Sequence, residues 1–242
     1  MCSAVLDQQG SSTPYFNLRF KQGSTHLFCG PSQSGKTWRC LDLVRWKDFM
    51  IENGWKITNV VLAYKIWQPQ YQQFYNEGLV TVLKEGFPSI GEFCELVEPH
   101  KENGSIFLID DFECELHIPE RARVLEEIVK VQSRHLNVVT CILFQSLFPA
   151  AKISRQISLN TKYLHLLKNP RDACQFHYLA RQLCGSGGYK YLVEAYQDAT
   201  QQPYSAFLID LTQECEPLLR FRSHYLPAEL PLRVYFKKKS RL

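Results

Sequence analysis

The residues with the clearest chemical potential form one octapeptide, residues 30–37. It fits the pattern G-x-x-x-x-G-K-[ST] without a mismatch, through Gly30, Pro31, Ser32, Gln33, Ser34, Gly35, Lys36 and Thr37. Glycines let the backbone wrap around a phosphate group, and the positive end of a following helix adds to the attraction. In such a loop the lysine reaches the β- and γ-phosphates, and the last hydroxyl ligates Mg²⁺. The octapeptide therefore predicts a site for a nucleoside triphosphate and Mg²⁺.

Two adjacent carboxylates supply a second chemical feature. Asp110 and Asp111 follow the hydrophobic stretch 105–109, which has the length of a buried strand. Asp110 is predicted to hold Mg²⁺ through water together with Thr37, and Asp111 to polarise the water that attacks the γ-phosphate. Acidic pairs are also common in turns after strands, and that alternative stays open. The Asn-Lys-x-Asp motif of GTPases is absent, and the second carboxylate favours a hydrolase over a small-molecule kinase.

Strand-like and helix-like segments alternate along the chain. A helical pattern follows the octapeptide, and the clearest helix spans residues 119–135. Apolar runs predict strands at residues 26–29, 57–64, 79–83, 105–110, 137–145, 163–167 and 205–211. This alternation predicts an α/β fold with a mainly parallel sheet and helices on both faces.

The predicted strand at 57–64 lies between the phosphate loop and Asp110. This order resembles the additional-strand (ASCE) division of the P-loop ATPases, and the resemblance is the reason to prefer ATP over GTP. In that division the strand after the carboxylates ends in a polar residue near the γ-phosphate, which here identifies Gln145 as the sensor. The alternative for Gln145 is a strand-end side chain that bonds the loop backbone.

Length and composition limit the organisation of the chain. Its 242 residues fit one domain with embellishments, which we place over 21–235 as a single P-loop ATPase domain. The run Ser11-Ser12-Thr13-Pro14 predicts a loose lead-in over 1–20, and the lysines and arginine near the end predict a basic tail over 236–242. The formal charge of +4, from 28 basic and 24 acidic residues, is too balanced to establish a nucleic-acid partner. The tail is either a solvated terminus or a nuclear-import or DNA-contacting segment. The longest apolar run has only strand length, so no membrane partner is expected.

Several blocks of the sequence together resemble one family of motors. They are residues 30–37, Tyr64, Asp110-Asp111, Gln145-Ser146-Leu147-Phe148, Arg155-x-Ile157-Ser158-Leu159-Asn160, Lys168-Asn169-Pro170-Arg171-Asp172 and Ala180-Arg181-Gln182. The family is the FtsK/HerA-type genome-packaging ATPases of double-stranded DNA viruses and Maverick/Polinton elements, including the poxvirus-type packaging ATPase. The last three blocks discriminate this group from other P-loop ATPases. The chain departs from the pattern at Gln33, where a glycine is more usual, and at Asp111, where related motors often have glutamate.

The resemblance implies a ring-forming motor that hydrolyses ATP at subunit interfaces and threads double-stranded DNA into a preformed capsid. The implied partners are DNA gripped without base reading, further copies of the chain, and a capsid or portal protein. An arginine from a neighbouring subunit would stabilise the transition state, and Arg155 and Arg171 are the candidates, with surface ion pairing as the alternative. The implied location is the interior of the host cell, the nucleus included, with association with the virion or the assembling capsid.

Two other functions stay open. One is a related FtsK/HerA-like DNA pump or helicase. The other is a non-hydrolysing nucleotide-binding adaptor, in which ATP holds a conformation and Asp111 is idle.

Overall fold

The computed structural model describes residues 2–5, 18–148, 157, 159–171 and 173–237. Within these residues ten strands form one sheet. They are β1 (Cys2–Val5), β2 (Thr25–Cys29), β3 (Asn59–Tyr64), β4 (Val82–Glu85), β5 (Ser105–Asp110), β6 (Val138–Phe144), β7 (Tyr163–Leu167), β8 (Ala206–Asp210), β9 (Phe221–Ser223) and β10 (Arg233–Phe236). Their order across the sheet is β1-β10-β9-β8-β7-β2-β6-β5-β3-β4.

Six neighbouring strands, from β7 to β4 in this order, are parallel. One strand, β6, separates β2, which leads into the phosphate loop, from β5, which ends at Asp110. This is the additional-strand arrangement, so the predicted fold class is confirmed. Strands β2, β3, β5, β6 and β7 are buried along their whole length, which explains why they appear as continuous apolar runs in the sequence.

The other side of the sheet is antiparallel. Strand β8 runs opposite to β7, and β9, β10 and β1 continue with alternating directions. Because β8 and β9 are antiparallel, the start of β8 and the end of β9 lie at the same edge as the carboxyl end of β7, where Leu167 pairs with Ala206. Two connecting segments, 202–205 and 224–229, are thereby brought to the edge at which the phosphate loop begins.

Of the predicted loose lead-in over residues 1–20, the structure describes residues 2–5 and 18–20, and both stretches are hydrogen-bonded to other parts of the domain. Cys2–Val5 forms strand β1 and pairs with β10. Phe20 is fully buried, and its backbone exchanges hydrogen bonds with Met50 and Glu52. An edge strand has unpaired N–H and C=O groups, and β1 satisfies those of β10. Strand β10 reaches Phe236, and residues 238–242 of the predicted basic tail lie outside the described residues.

Helices cover both faces of the sheet, as predicted. They are α1 (Lys36–Arg45), α2 (Lys47–Met50), α3 (Pro69–Asn76), α4 (Ile90–Val97), α5 (Pro119–Glu127), α6 (Ser133–His135) and α7 (Ala173–Ala199). Helices α1 and α3 pack in the core that contains Phe28 and Leu62, whereas α4, α5 and α7 pack in the core that contains Leu27 and Val61. Adjacent strand residues thus enter opposite cores, as the two-residue period of a strand requires.

Two helices depart from regular geometry. The predicted helix over 119–135 is continuous but contains a π-helical turn, Ile128–Gln132, between α5 and α6. Helix α7 changes direction at Gly185, which has a φ of 65°. Among the described residues no helix is long and apolar enough to cross a membrane.

Candidate functional site

The phosphate loop joins β2 to α1 and has little room for side chains at its first residue. A Cβ added to Gly30 would lie 2.7 Å from Ser34 Oγ and 2.9 Å from Leu167 Cβ. Gln33 and Gly35 adopt left-handed φ values of 64° and 92°. The first of these values explains why a glycine is more usual at position 33. Helix α1 starts directly after Gly35 with no side-chain cap and no acidic residue in its first turn, so its first amides remain available to an anion.

Lys36 folds over the loop that it follows. Its Nζ donates to the backbone oxygens of Gly30 at 2.7 Å and Pro31 at 2.9 Å. Burial lowers the pKa of Lys36, and the neighbouring Asp110 carboxylate opposes this effect. The Ser34 Oγ atom is buried and has no hydrogen-bond partner among the described residues. An orphaned hydroxyl, an ammonium group and free helix amides are the donor set that the phosphates of a nucleotide require, so the loop fits such a ligand.

The predicted metal ligands meet at the carboxyl end of β5. Thr37 Oγ1 donates to Asp110 Oδ2 at 3.0 Å, and Tyr71 OH donates to the same oxygen at 3.0 Å. Burial raises the pKa of Asp110, and the hydrogen bonds from Thr37 and Tyr71 oppose the rise. Hydroxyl and carboxylate oxygens are ligands that suit Mg²⁺, so this pair fits the ion.

The second carboxylate and the predicted sensor are also brought together. Gln145 Nε2 donates to Asp111 Oδ1 at 3.4 Å, and Asp111 has a left-handed φ of 65°. The backbone N–H groups of Gln145 and Ser146 donate to Glu113 Oε2, the second at 3.2 Å. Burial raises the pKa of Glu113, and these two hydrogen bonds oppose the rise. Glu113 therefore holds the end of β6 at the site.

Sequence reasoning missed both Tyr71 and Glu113. Tyr71 lies in an aromatic segment with helical spacing, a pattern typical of core packing, and its ring is fully buried. Only the position of its hydroxyl distinguishes it from a core aromatic. Glu113 lies three residues after Asp110, and this proximity was the available signal.

The two arginine candidates stand differently. Arg155 lies outside the described residues. Arg171 is exposed in the loop after β7, where its backbone N–H donates to Asn169 Oδ1 at 3.2 Å. That loop follows the carboxyl end of β7, at the same edge of the sheet as the phosphate loop. Their action on a neighbouring subunit stays a prediction.

One cavity of about 1000 Å³ is shared by the phosphate loop, the two carboxylates and Gln145. At one end it is lined by Asp110, Asp111 and Gln145, and at the other by the segments 202–205 and 224–229. The phosphate loop, which also lines the cavity, lies between the two ends, because β2 separates β6 and β5 from β7, β8 and β9 in the sheet. The cavity is therefore larger than a triphosphate site alone requires.

A phosphate loop between β2 and α1, with the carboxylate-bearing strand two positions away, defines a P-loop NTPase fold of the additional-strand type. No protein-family model matches the chain, and no curated protein matches its sequence.

Solved structures share this fold. The genome packaging NTPase B204 from Sulfolobus turreted icosahedral virus 2, in complex with sulfate, has a TM-score of 0.55 at 12% identity, over 85% of this chain and 100% of that chain. The cytoplasmic domain of the Thermomonospora curvata type VII secretion ATPase EccC has a TM-score of 0.52 at 17% identity, and the match covers 82% of this chain and 25% of that chain. EssC (ATPases 2 and 3) from Geobacillus thermodenitrificans has a TM-score of 0.53 at 10% identity, and the match covers 78% of this chain and 38% of that chain. Similarity at these identities establishes the fold.

Proposed function

We propose that this chain is an ATP-hydrolysing motor that translocates double-stranded DNA and packages a viral genome into a capsid. The observation that carries the ATPase is the 3.0 Å contact between Thr37 Oγ1 and Asp110 Oδ2 beside Lys36. The sequence blocks shared with packaging ATPases support the more specific role. The fold similarity to the genome packaging NTPase B204, which extends over that entire chain, also supports it.

The residues at the site divide the chemistry of hydrolysis among them. Lys36 and the amides of α1 bind the β- and γ-phosphates and stabilise the charge that spreads over them in the transition state. Thr37 and Asp110 would hold Mg²⁺, which when bound neutralises charge on the phosphates and orients the triphosphate group. Water attacks the γ-phosphorus, its proton passes to Asp111, and the bond to the β-phosphate oxygen breaks, which leaves ADP and phosphate. Gln145, bonded to Asp111 Oδ1, keeps that carboxylate oriented toward the water.

The partners belong to the same proposal. A ring of identical chains would let Arg155 or Arg171 of one subunit act on the nucleotide of the next. Double-stranded DNA would be held by its phosphates without base reading. A capsid or portal protein would anchor the ring inside the host cell, the nucleus included.

The test is phosphate release with and without long duplex DNA, combined with the size of the assembly in solution. We expect DNA to stimulate release by wild type, and Lys36→Ala and Asp111→Asn to reduce it by at least about 100-fold. Lys56→Ala, at an exposed lysine remote in sequence from the loop, is the matched control. Absence of DNA-stimulated release from an assembled wild-type ring would refute the motor. Tight ATP binding that is unchanged in Asp111→Asn, without turnover, would indicate an adaptor, and strand displacement on forked DNA would indicate a helicase.

A further inference from the structure

The cavity extends beyond the phosphate loop on the side away from Asp110. Strands β6 and β5 lie on one side of β2, whereas β7, β8 and β9 lie on the other. Because β8 runs antiparallel to both β7 and β9, the segments 202–205 and 224–229 lie at the edge of the sheet where the phosphate loop begins. Both segments line the cavity. A nucleotide whose γ-phosphate faces Asp110 and Asp111 would therefore direct its nucleoside toward these segments.

Tyr204 is the aromatic residue of these segments that lies against the phosphate loop. A Cβ built on Gly35 would lie 3.0 Å from Tyr204 Cδ1, so the ring packs beside the start of α1. Tyr204 is nevertheless 66% exposed, and it lines the cavity. An accessible aromatic face beside a phosphate loop is suited to stack on a planar base.

The backbone of Tyr204 is strained and held by a buried arginine. Its φ of 64° lies in the left-handed region, which a bulky residue rarely adopts. Arg39, only 6% exposed, donates from Nη2 to the Tyr204 carbonyl at 2.7 Å. Arg39 Nη1 also forms an ion pair with Glu229 Oε1 at 2.6 Å. One guanidinium thus links both segments at this end of the cavity, and strain of this kind clusters at ligand sites.

We propose that Tyr204 is the residue on which the nucleobase stacks, and that Arg39 is the positioning residue that holds it there. The proposal rests on the proposed function, because it assumes that the loop binds a nucleoside triphosphate. Trp38 also lines the cavity and is 44% exposed. Its ring packs edge-on against Phe74 at 4.9 Å. Since Phe74 belongs to α3, the helix whose Tyr71 contacts Asp110, Trp38 belongs to the metal end of the site.

The test compares the affinities of ATP and inorganic tripolyphosphate, both with Mg²⁺, by calorimetry. Tyr204→Asn removes the ring but tolerates a positive φ. We expect it to lower the affinity for ATP about 5- to 150-fold, the equivalent of the ~1–3 kcal/mol of base stacking. The affinity for tripolyphosphate should not change. Tyr204→Phe keeps the ring and should keep both affinities. Tyr75→Asn, at a tyrosine of α3 with similar exposure, is the matched control.

Arg39→Lys tests the positioning role. Lysine keeps the charge beside Glu229 but lacks the fork that reaches Tyr204 as well. We expect it to lower the affinity for ATP and to leave the affinity for tripolyphosphate unchanged. General destabilisation of the protein would not produce this selectivity. An Arg39→Lys protein that binds ATP as wild type does would overturn this role.

Three other results would overturn the stacking assignment. In the first, Tyr204→Asn lowers the affinities for ATP and tripolyphosphate equally, and in the second it leaves the affinity for ATP unchanged. In the third, Trp38→Ala loses affinity for ATP alone and Tyr204→Asn does not. Equal affinity of wild type for ATP and tripolyphosphate would also reject a base subsite, while the phosphate site would stand. If wild type bound neither ligand, the proposed function would fail first.

Discussion

The hydroxyl of Tyr71 and the carboxylate of Asp110 are 3.0 Å apart, and the tyrosine shares Oδ2 of that carboxylate with Thr37. Burial and the nearby Asp110 charge raise the pKa of Tyr71, so its hydroxyl stays protonated and donates. If the Thr37 hydroxyl ligated a metal ion, Tyr71 would remain as the donor that orients Asp110. Helix α3, which contributes no residue to the sequence motifs, thereby supports the Asp110 carboxylate.

Tyr71→Phe should weaken the response to Mg²⁺. The substitution removes one hydroxyl from a fully buried ring and leaves the packing unchanged. Partners that orient a metal-binding carboxylate typically contribute about 10- to 100-fold to metal affinity or activity. The Mg²⁺ concentration at half-maximal phosphate release should rise by that factor, with Tyr75→Phe as the control. An unchanged Mg²⁺ dependence would contradict this role.

Glu113→Ala should loosen the end of β6. It leaves the backbone N–H groups of Gln145 and Ser146 without their carboxylate acceptor, which costs about 1–3 kcal/mol of unfolding free energy. Because Gln145 is then free to move, kcat should fall more than KM for ATP rises. Denaturant unfolding and steady-state kinetics measure the two effects, and Glu113→Gln should restore most of both. Glu95→Ala, at an exposed glutamate of α4, should change neither.

Gly30→Ala should impair the phosphate loop. The new Cβ would meet Ser34 Oγ at 2.7 Å and Leu167 Cβ at 2.9 Å, and relief of such overlap costs about 1–3 kcal/mol. Because the loop itself is displaced, the affinities for ATP and for tripolyphosphate should both fall, unlike the ATP-selective loss expected for Tyr204→Asn. Gly187→Ala, where no atom lies within 4 Å of the added carbon, is the control. Equal ligand affinities in Gly30→Ala and wild type would refute the prediction.

A buried chain of hydrogen bonds determines the protonation of two histidines. Ser24 Oγ donates to the Lys21 carbonyl, so His26 Nε2 must donate to Ser24 Oγ, at 3.0 Å. His26 Nδ1 then accepts from His165 Nε2 at 3.0 Å, and His165 Nδ1 accepts from Tyr225 OH at 2.8 Å. Both rings are neutral, because burial lowers the pKa of each.

The stability of the protein should therefore fall in acid. Burial lowers the pKa of His26 to about 3 and that of His165 well below its usual value. Unfolded histidines take up protons near pH 6.5. Below that pH the unfolded state binds more protons than the native state, so the free energy of unfolding decreases as the pH falls toward about 3. The limiting slope is about 1.4 kcal/mol per pH unit for each ring.

Urea unfolding between pH 7.5 and pH 4.5 measures this slope. His26→Gln should be less stable than wild type at pH 7.5 but should lose less stability on acidification. His135→Gln, at an exposed histidine, should keep the wild-type slope. A slope in His26→Gln equal to that of wild type would show that the buried pair does not cause the acid response.

The phosphate loop and the strand that ends at Asp110 could be predicted because both are local patterns. A loop that wraps a phosphate needs glycine, lysine and threonine at set spacings within one octapeptide, and a buried parallel strand appears as an uninterrupted apolar run. The predicted strands 105–110 and 163–167 match β5 and β7. The order of motifs along the chain was likewise enough to predict the additional-strand arrangement.

Other features depended on contacts between distant residues. The pairing of β1 with β10 joins residues more than 220 positions apart and has no signal in either short segment. Tyr71 OH, Glu113 and Tyr204 have roles at the site only because α3, the end of β6 and the antiparallel strands meet at one edge of the sheet. Sequence alone determined which residue types and loops could bind phosphates, since those depend on local backbone geometry. Tertiary structure decided which other side chains orient the phosphate-binding residues and complete the site. Each such contact joins elements that are far apart in the sequence, and no local pattern encodes their distance in space.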